Sequence, residues 1–362
     1  MKKSLFLLIV LCLFPAADVW SWGFFAHQRI NRLAVFCLPP EMMRFFKAHI
    51  RFLEENAVNP DERRYAVEGE APRHYIDLDV YGDSALARLP RFWPQAVEKY
   101  SEDTLMAYGI VPWHIQLVKY QLTEAFKQRD AGRILRLAAD LGHYVADANV
   151  PLHTTENYNG QLTGQHGIHG LWESRLPELL VGGYDCFVGK AEYVYSPQER
   201  AWRAVAEAHA AVDSVLLFER QLSGRFPADK KYSYEQRGNT TVRVYSRAFA
   251  EKYHQMLDGQ VERRMRASIK MVADFWYTCW VDAGQPDLTS LLPYQLGKAE
   301  REQMEQERKA WESRRYQVRP HDTGCNHPAD QQPGRRPRPG DNLATRRRLY
   351  LVAGVSSPKK GI

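Results

Sequence analysis

Apolar residues recur at steps of three and four along most of this chain, which is the period of an α-helix buried on one side. The clearest stripe comprises Met265, Ile269, Val272, Trp276 and Trp280. No sustained alternation of period two, the mark of a half-buried strand, interrupts the pattern. The sequence therefore predicts an all-α fold, built as a single multi-helix bundle. The predicted helices cover residues 27–36, 40–56, 105–128, 131–148, 168–180, 196–222, 241–257 and 261–283.

The first 21 residues have the pattern of a secretory signal peptide. Two lysines precede an apolar run over residues 5–14, and Val19 and Ser21 occupy the −3 and −1 positions of a cleavage site. Cleavage there would make Trp22 the first residue of the mature chain. No later stretch has the length needed to span a bilayer. We therefore expect an exported protein, periplasmic or secreted, with no transmembrane segment in its mature form.

The formal net charge of +6 arises from the C-terminal segment and not from the body of the chain. Residues 314–362 hold eleven Lys and Arg against three Asp and Glu, whereas residues 22–313 carry a net −3. This balance does not support a basic body that binds nucleic acid through its net charge. We predict one domain over residues 22–298, followed over residues 299–362 by a charged segment and a disordered basic tail.

Four cysteines follow the predicted signal peptide: Cys37, Cys186, Cys279 and Cys325. Disulfides form in exported proteins, but four cysteines allow three pairings and the sequence does not choose among them. None of the four lies in a C-x-x-C pair. Zinc ligation by thiolates is therefore not expected.

The segment from residue 143 to residue 173 carries five metal-competent side chains: His143, Asp147, His153, His169 and Glu173. Zinc prefers imidazole nitrogens and carboxylate oxygens, and three or four of them complete one site. His143 and Asp147 are four residues apart in one predicted helix, and His169 and Glu173 are four apart in another. The two side chains of each pair therefore lie on the same face of their helix. Five ligands exceed the needs of one tetrahedral ion. The alternative interpretation is a set of solvated polar residues with one or two buried histidines.

The sequence HYVADANVPLH, followed by HGLWE, resembles the superfamily of zinc-dependent phospholipases C and fungal-type single-strand nucleases. The resemblance implies an all-helical exported enzyme with three clustered Zn2+ ions. In that family the mature chain begins with Trp, whose amino and carbonyl groups bind zinc. Trp22, with His27 five residues later, matches this start. Asp61 and Arg64 match the family's D-x-x-R segment, and His74 opens its H-aromatic-x-D segment.

Carried over residue by residue, the resemblance implies three sets of zinc ligands that share one aspartate. The sets are Asp61, His74, His143 and Asp147 for one ion; His153, His169 and Glu173 for a second; and Trp22, His27 and Asp147 for a third.

The motifs leave the subfamily open. The five-residue step at the N-terminus and Arg64 match the nucleases, whereas Glu173 and the short step from His153 to His169 match the phospholipases. Residues without choline-binding chemistry occupy the choline-recognition positions of the phospholipases: Phe25, Glu62 and Ala71. We expect a phosphate-ester substrate, either a phospholipid or a single-stranded nucleic acid or nucleotide. The sequence indicates no specific protein partner.

The chemistry that the resemblance implies is hydrolysis of a phosphate ester by a metal-activated hydroxide that attacks phosphorus. Asp61, Arg64 and Asp147 are the predicted catalytic residues, and Arg64 either stabilises phosphoryl charge or orients Asp61. The alternative function is a non-catalytic, zinc-stabilised exported binding or structural protein. A structural zinc has four protein ligands, whereas the set that contains His153 supplies three and leaves a position for water or substrate. That count favours catalysis.

Two further residues have open interpretations. Tyr75, next to His74, either stacks on a substrate group or packs in the core. Asp140, one helical turn before His143, either supports a ligand from behind or is a solvated acid.

Overall fold

The computed structural model describes residues 23–237 and 240–313, and this part of the chain is mostly helical. The predicted signal peptide, Trp22, Cys325 and the segment 314–362 lie outside the described residues. The helices up to residue 147 are α1 Phe24–Ala34, α2 Pro40–Ala48, α3 Ile50–Glu55, α4 Asn59–Arg63, α5 Ala85–Arg88, α6 Trp93–Tyr100, α7 Glu102–Tyr108, α8 Val111–Gln128 and α9 Ala131–Asp147. The helical character agrees with the predicted all-α class.

The later elements continue the helical architecture with one interruption. They are α10 Ile168–Gly170, α11 Leu176–Leu180, α12 Pro197–His209, α13 Val212–Ser223, β1 Tyr232–Arg237, β2 Thr240–Tyr245, α14 Arg247–Met256, α15 Gln260–Asp282 and α16 Lys298–Glu312. A π-helical turn, Leu171–Arg175, joins α10 to α11. Short 3-10 turns lie at Val35–Cys37, Asn56–Val58, Ala71–His74, Leu78–Tyr81, Pro151–Thr154, Val181–Gly183, Ala228–Lys230 and Thr289–Leu291.

The core forms where α1, α8, α9 and α15 pack together. The apolar stripe predicted on α15 is buried along its whole length, with Ile269, Val272 and Trp276 fully inaccessible. Each such side chain contributes roughly 1.5–3 kcal/mol by leaving water. The Trp276 indole N–H also donates a hydrogen bond of 2.9 Å to the carbonyl oxygen of Ala138 on α9. The stripe therefore holds α15 against the helix that carries His143 and Asp147.

The β-hairpin corrects the prediction of a helix over residues 241–257. Strands β1 and β2 pair antiparallel, with Tyr234 opposite Arg243. The segment TTVRVY alternates over six residues and is rich in β-branched side chains, which favour a strand. The helix begins only at Arg247, where the Ser246 hydroxyl caps it by accepting from the Phe249 N–H at 3.3 Å. The alternating run was too short to outweigh the helical pattern around it.

Several predicted helices are divided in the structure. The predicted helix 105–128 breaks at Gly109, which has a positive φ of 93° and would place a Cβ 2.1 Å from the Tyr75 carbonyl oxygen. The predicted helix 196–222 divides into α12 and α13, and the predicted helix 40–56 divides into α2 and α3. Helical period alone does not show such breaks, because both halves keep their apolar side toward the same core.

Two further predictions, on membrane spans and on cysteines, can be compared with the described residues. No helix among them is both long enough and apolar enough to cross a membrane. Cys37, Cys186 and Cys279 are free thiols, and Cys37 and Cys279 are buried. The charged segment after residue 298 begins with α16, where Arg136 of α9 donates to Gln303 at 3.3 Å.

Candidate metal centre

Helix α9 presents His143 and Asp147 on one fully buried face, as their spacing predicts. The helix starts at Asp130, whose side chain accepts a hydrogen bond from the Arg133 N–H at 3.0 Å. It ends after Asp147, before the 3-10 turn that begins at Pro151. The last turn of α9 therefore delivers two metal-competent groups to the same point.

His153, His169 and Glu173 approach that point from the following segment. His153 lies on the 3-10 turn, and its Nδ1–H donates to the His74 carbonyl oxygen at 2.6 Å. His169 lies on α10 and Glu173 on the π turn, with His169 Nε2 2.6 Å from Glu173 Oε2. The predicted pairing of these two residues is thus observed. A π turn is a rare feature that is frequent at functional sites.

His27, Asp61 and His74 join the cluster from three separate elements. His27 lies on α1, Asp61 on α4, and His74 closes the 3-10 turn Ala71–His74. The His27 ring stacks on that of His143, with centroids 4.0 Å apart. Helix α1 comes this close to α9 because residue 142 is glycine: a Cβ there would lie 1.9 Å from the Asn31 Oδ1.

Asn31 fixes this close approach. Its side-chain amide donates to the carbonyl oxygens of Leu53 at 3.3 Å and Ala139 at 3.1 Å. One fully buried asparagine therefore ties α1 to both α3 and α9. Nothing in the local sequence identifies Asn31 or Gly142 as supports of the cluster, because their importance depends on a contact between distant helices.

The first group of donors surrounds Asp147 Oδ2. This oxygen lies 2.9 Å from His74 Nδ1 and 3.2 Å from His143 Nε2, and the two nitrogens are 3.0 Å apart. Asp61 Oδ1 lies 3.6 Å from His74 Nδ1 and 3.7 Å from His143 Nε2. These are the four residues of the first predicted ligand set.

Three more groups of the described residues adjoin the first, each with its ligand atoms within 4.8 Å of one another. They are His153, His169 and Glu173; His27, Asp147 and Glu173; and His27, Asp61 and His143. His27 Nε2 is 3.4 Å from Asp147 Oδ1 and 3.4 Å from Glu173 Oε1. Asp147 and Glu173 therefore each use their two oxygens to face different groups. The approach of Glu173 to His27 was not predicted, and Trp22, the remaining predicted ligand, lies outside the described residues.

All eight described donors are buried, with at most 5% of any of them exposed. Burial opposes the protonation of His27, but Glu173, Asp147 and Asp61 outweigh burial and raise its pKa to about 9. Burial would raise the pKa of Asp147, but His143 and His153 outweigh burial and hold that pKa well below its usual value. Burial, with Arg64 nearby, keeps the pKa of His74 well below its usual value.

This environment suits a cation. Buried carboxylates are stable only when a positive charge or several hydrogen bonds compensate them. Nitrogen and oxygen donors at these separations match the ligand preferences of zinc and similar divalent ions. The buried His, Asp and Glu groups can therefore hold a metal ion. The role of each residue as a ligand remains a prediction.

The outward nitrogens of three histidines are fixed by backbone carbonyls. The Nδ1–H of His143 donates to the Ala57 carbonyl oxygen at 2.8 Å. The Nδ1–H of His153 donates to the His74 carbonyl oxygen at 2.6 Å, and that of His169 to the Tyr158 carbonyl oxygen at 3.1 Å. Each hydrogen bond selects the tautomer that leaves Nε2 available as a ligand. These histidines are thus oriented by the protein itself.

His74 has the opposite orientation. Its Nδ1 faces the donor group, and its Nε2 lies 3.9 Å from Glu70 Oε1. Glu70 is fully buried and pairs with Arg73 at 2.6 Å, while the Tyr144 hydroxyl donates to it. Glu70 was not among the predicted site residues, and its position four residues before His74 is the one sequence signal that points to it.

Arg64, Asp140 and Tyr75 take defined places around the cluster. Arg64 is buried, with its Nη1 3.5 Å from Asp61 Oδ1, which matches the orienting role considered for it. Asp140 is not a solvated acid, because it pairs with Arg63 at 2.8 Å, and the same guanidinium lies 3.8 Å from Glu70, the carboxylate behind His74. Tyr75 is 3% exposed and packs beside Gly109, which identifies it as a core residue.

No protein-family model and no curated protein matches this chain.

Proposed function

We propose that this chain is an exported, zinc-dependent hydrolase of phosphate esters, with the helical architecture and three-zinc centre of the phospholipase C and single-strand nuclease superfamily. One observation carries the proposal: eight buried donors from distant parts of the chain form adjacent groups that share His27, His143, Asp147 and Glu173. The motif resemblance also implies a shared Asp147. An unrelated core would have no reason to concentrate these side chains.

Bound zinc ions would polarise a phosphoryl oxygen and lower the pKa of a water to about 7. Asp61, His74, His143 and Asp147 would hold the first ion, and His153, His169 and Glu173 the second. His27 and Asp147, with the amino terminus at Trp22, would hold the third. The backbone contacts of the histidines keep their rings in place, so that little reorganisation accompanies reaction.

Arg64 acts on the first group through Asp61. Its guanidinium lies beside Oδ1 of that carboxylate, and its burial restricts it to that side of the cluster. A planar cation in this place orients the carboxylate and adds positive potential where a phosphoryl group would bind. Because Tyr75 is buried, it does not provide a stacking surface for a nucleobase. The substrate is therefore proposed only as a phosphate ester, from a phospholipid or from a single-stranded nucleic acid or nucleotide.

The alternative is a zinc-stabilised protein without catalysis, and one observation favours it: every described donor is at least 95% buried. Structural metal sites are closed to solvent, whereas catalytic ones keep an open position. The group of His153, His169 and Glu173 supplies three donors, so a tetrahedral zinc held there would keep a fourth position for water or substrate, which favours catalysis.

An activity assay on the exported protein decides between the two functions. Its N-terminus is first determined by mass spectrometry, which also tests cleavage before Trp22. Hydrolysis is then measured on bis(p-nitrophenyl) phosphate, a 3′-nucleotide, single-stranded DNA and phospholipid micelles, with chelator and after zinc is restored. We expect zinc-dependent turnover on at least one substrate. Zinc binding without turnover on any of them would instead establish the structural role.

A further inference from the structure

The β-hairpin formed by β1 and β2 is joined to the π turn through one buried arginine. Arg175 is the last residue of that turn. Its Nε–H donates to the Tyr245 carbonyl oxygen on β2 at 3.1 Å. Its two terminal nitrogens pair with the two carboxylate oxygens of Glu235 on β1, with Nη1 donating to Oε2 at 3.0 Å. The guanidinium therefore binds both strands of the hairpin in a fork-shaped geometry that a lysine does not reproduce.

The pair of Arg175 and Glu235 contributes more to geometry than to stability. Removing an ionised group from water offsets much of its attraction to the partner, so a buried ion pair adds little net folding free energy. Two parallel hydrogen bonds from one planar group, however, restrict the orientation of that group and of the backbone beneath it. The backbone beneath Arg175 is the π turn, and the same turn carries Glu173.

Glu173 needs a defined orientation because its two oxygens face different groups. Oε2 lies 2.6 Å from His169 Nε2, and Oε1 lies 3.4 Å from His27 Nε2. A rotation of the turn would move at least one oxygen away from its group. We propose that Arg175 is a positioning residue for Glu173: it fastens the π turn to the hairpin, so that one carboxylate serves two groups of metal donors. This role of Arg175 rests on the proposed function of the metal centre.

A second contact from the hairpin holds the other end of the same segment. The Tyr245 hydroxyl donates to the carbonyl oxygen of His166, three residues before His169, at 3.3 Å. The Tyr245 ring is buried and belongs to the same apolar cluster as Trp172 of the π turn. Through its carbonyl oxygen and its hydroxyl, this one residue of β2 contacts both ends of the segment 166–175.

The donor group around His74 is supported by a different part of the core. His143 and Asp147 lie on α9, which packs with α1, α8 and α15. The hairpin and α14 instead pack with the π turn in a separate apolar cluster. Loss of the Arg175 contact should therefore weaken the groups that contain Glu173 and spare the group around His74. This selectivity distinguishes positioning from a general loss of stability.

Metal titration tests the role of Arg175, with Zn2+ as the probe and Co2+ for the spectrum. Arg175→Met keeps the apolar length of the side chain and removes the fork. We expect the metal affinity of the groups that contain Glu173 to fall by about 10- to 100-fold, with the group around His74 unchanged. The d–d spectrum of bound Co2+ should also shift. Arg175→Lys retains the charge without the fork and should resemble Arg175→Met.

The hairpin supplies the matched control. The Arg243 guanidinium carbon lies 3.7 Å from the centre of the Tyr232 ring, within the hairpin. Arg243→Met therefore removes a cation from the same element, and it should bind metal like the parent.

Glu235→Gln gives a second test if Arg175→Met does not fold, because the Glu235 side chain is 38% exposed. It should cause the same selective loss of affinity. Glu251→Gln, at a carboxylate with a similar exposure of 45%, is its control and should bind metal like the parent.

Three results would overturn the role of Arg175: parent-like binding by Arg175→Lys, equal weakening of all groups, or unchanged affinity in Arg175→Met and Glu235→Gln. Each of them can occur while ester hydrolysis by the parent is intact, and would then leave the hydrolase proposal standing. Selective weakening in a protein that binds metal but hydrolyses no ester would reject only the hydrolase proposal. A parent protein that binds no metal would reject both.

Discussion

The two halves of the candidate metal centre are built in different ways. The local half, residues 143–173, supplies five donors from α9, one turn and the α10 region within a single stretch of chain. The distant half supplies His27, Asp61 and His74 from three elements that share no local pattern. The local half depends on helical period, which places residues i and i+4 together. The distant half depends on packing, in particular on the contact between Gly142 and Asn31.

This difference shows what each half needs in order to form. A helix that keeps its period keeps His143 beside Asp147 whatever the rest of the molecule does. His27 reaches His143 only while α1 lies against α9. We therefore expect substitutions in the two halves to have separable effects on metal binding.

The largest effect is expected where the two halves meet, at Asp147. Asp147→Asn removes the negative charge of a carboxylate whose Oδ2 lies near His74 and His143 and whose Oδ1 lies near His27. We expect metal affinity to fall by more than about 100-fold, beyond the range for residues that only support a ligand. Metal content by mass spectrometry and competition with a chelator measure it. Asp83→Asn, at an exposed aspartate, is the matched control, and equal behaviour of the two variants would refute the central role of Asp147.

The next largest effect is expected from removing one histidine of either half. His169→Ala should abolish metal binding by the group that contains Glu173 and leave the group around His74 able to bind metal. His74→Ala should have the opposite effect. Metal titration by calorimetry would show the loss of a different binding phase in each variant. His166→Ala, which changes an exposed histidine three residues before His169, should bind like the parent. Loss of the same phase in both ligand variants would show that the groups do not bind independently.

A smaller effect is expected from Glu70, which lies behind His74 in the distant half. Glu70→Gln keeps the shape of the side chain but removes the charge near His74 Nε2. Metal affinity should fall by about 10- to 100-fold, because such outer partners orient the ligand and strengthen it as a donor. The d–d spectrum of the cobalt-substituted protein should also shift, which a purely structural role would not cause. The exposed neighbour Glu68 provides the control Glu68→Gln.

The smallest effect on metal binding is expected from Gly142→Ala, which perturbs only the approach of α1. The new Cβ would meet Asn31 Oδ1, and Asn31 is held by two backbone carbonyls. Overpacking of this kind costs about 1–3 kcal/mol of folding free energy, measured by urea unfolding. Binding at the His27 group should weaken, while binding at the His169 group should not. Gly182→Ala, where the added methyl meets open space, should leave both unchanged. A stable Gly142→Ala protein with normal binding would show that α1 adjusts freely.

The sequence by itself determined the helical class, the buried stripe on α15 and the pairing of donors on α9 and in the α10 region. These features follow from a period of 3.6 residues, which needs no knowledge of the neighbouring elements. The motif resemblance also named His27, Asp61 and His74, but nothing in their local sequence brings them together. It gave no sign of Glu70, Asn31 or Gly142 as supports of the cluster.

Only the tertiary structure decided which helices break, where the hairpin interrupts the pattern and how the distant donors meet. Gly109 divides α7 from α8 because the Tyr75 backbone occupies the space of a side chain there. Tyr75 is a core residue because its side chain packs against Gly109 and is almost fully buried. Glu173 faces His27 as well as His169 because α1 packs across the π turn. Contacts between residues far apart in sequence depend on shape and packing density in three dimensions, and helical period carries no record of them.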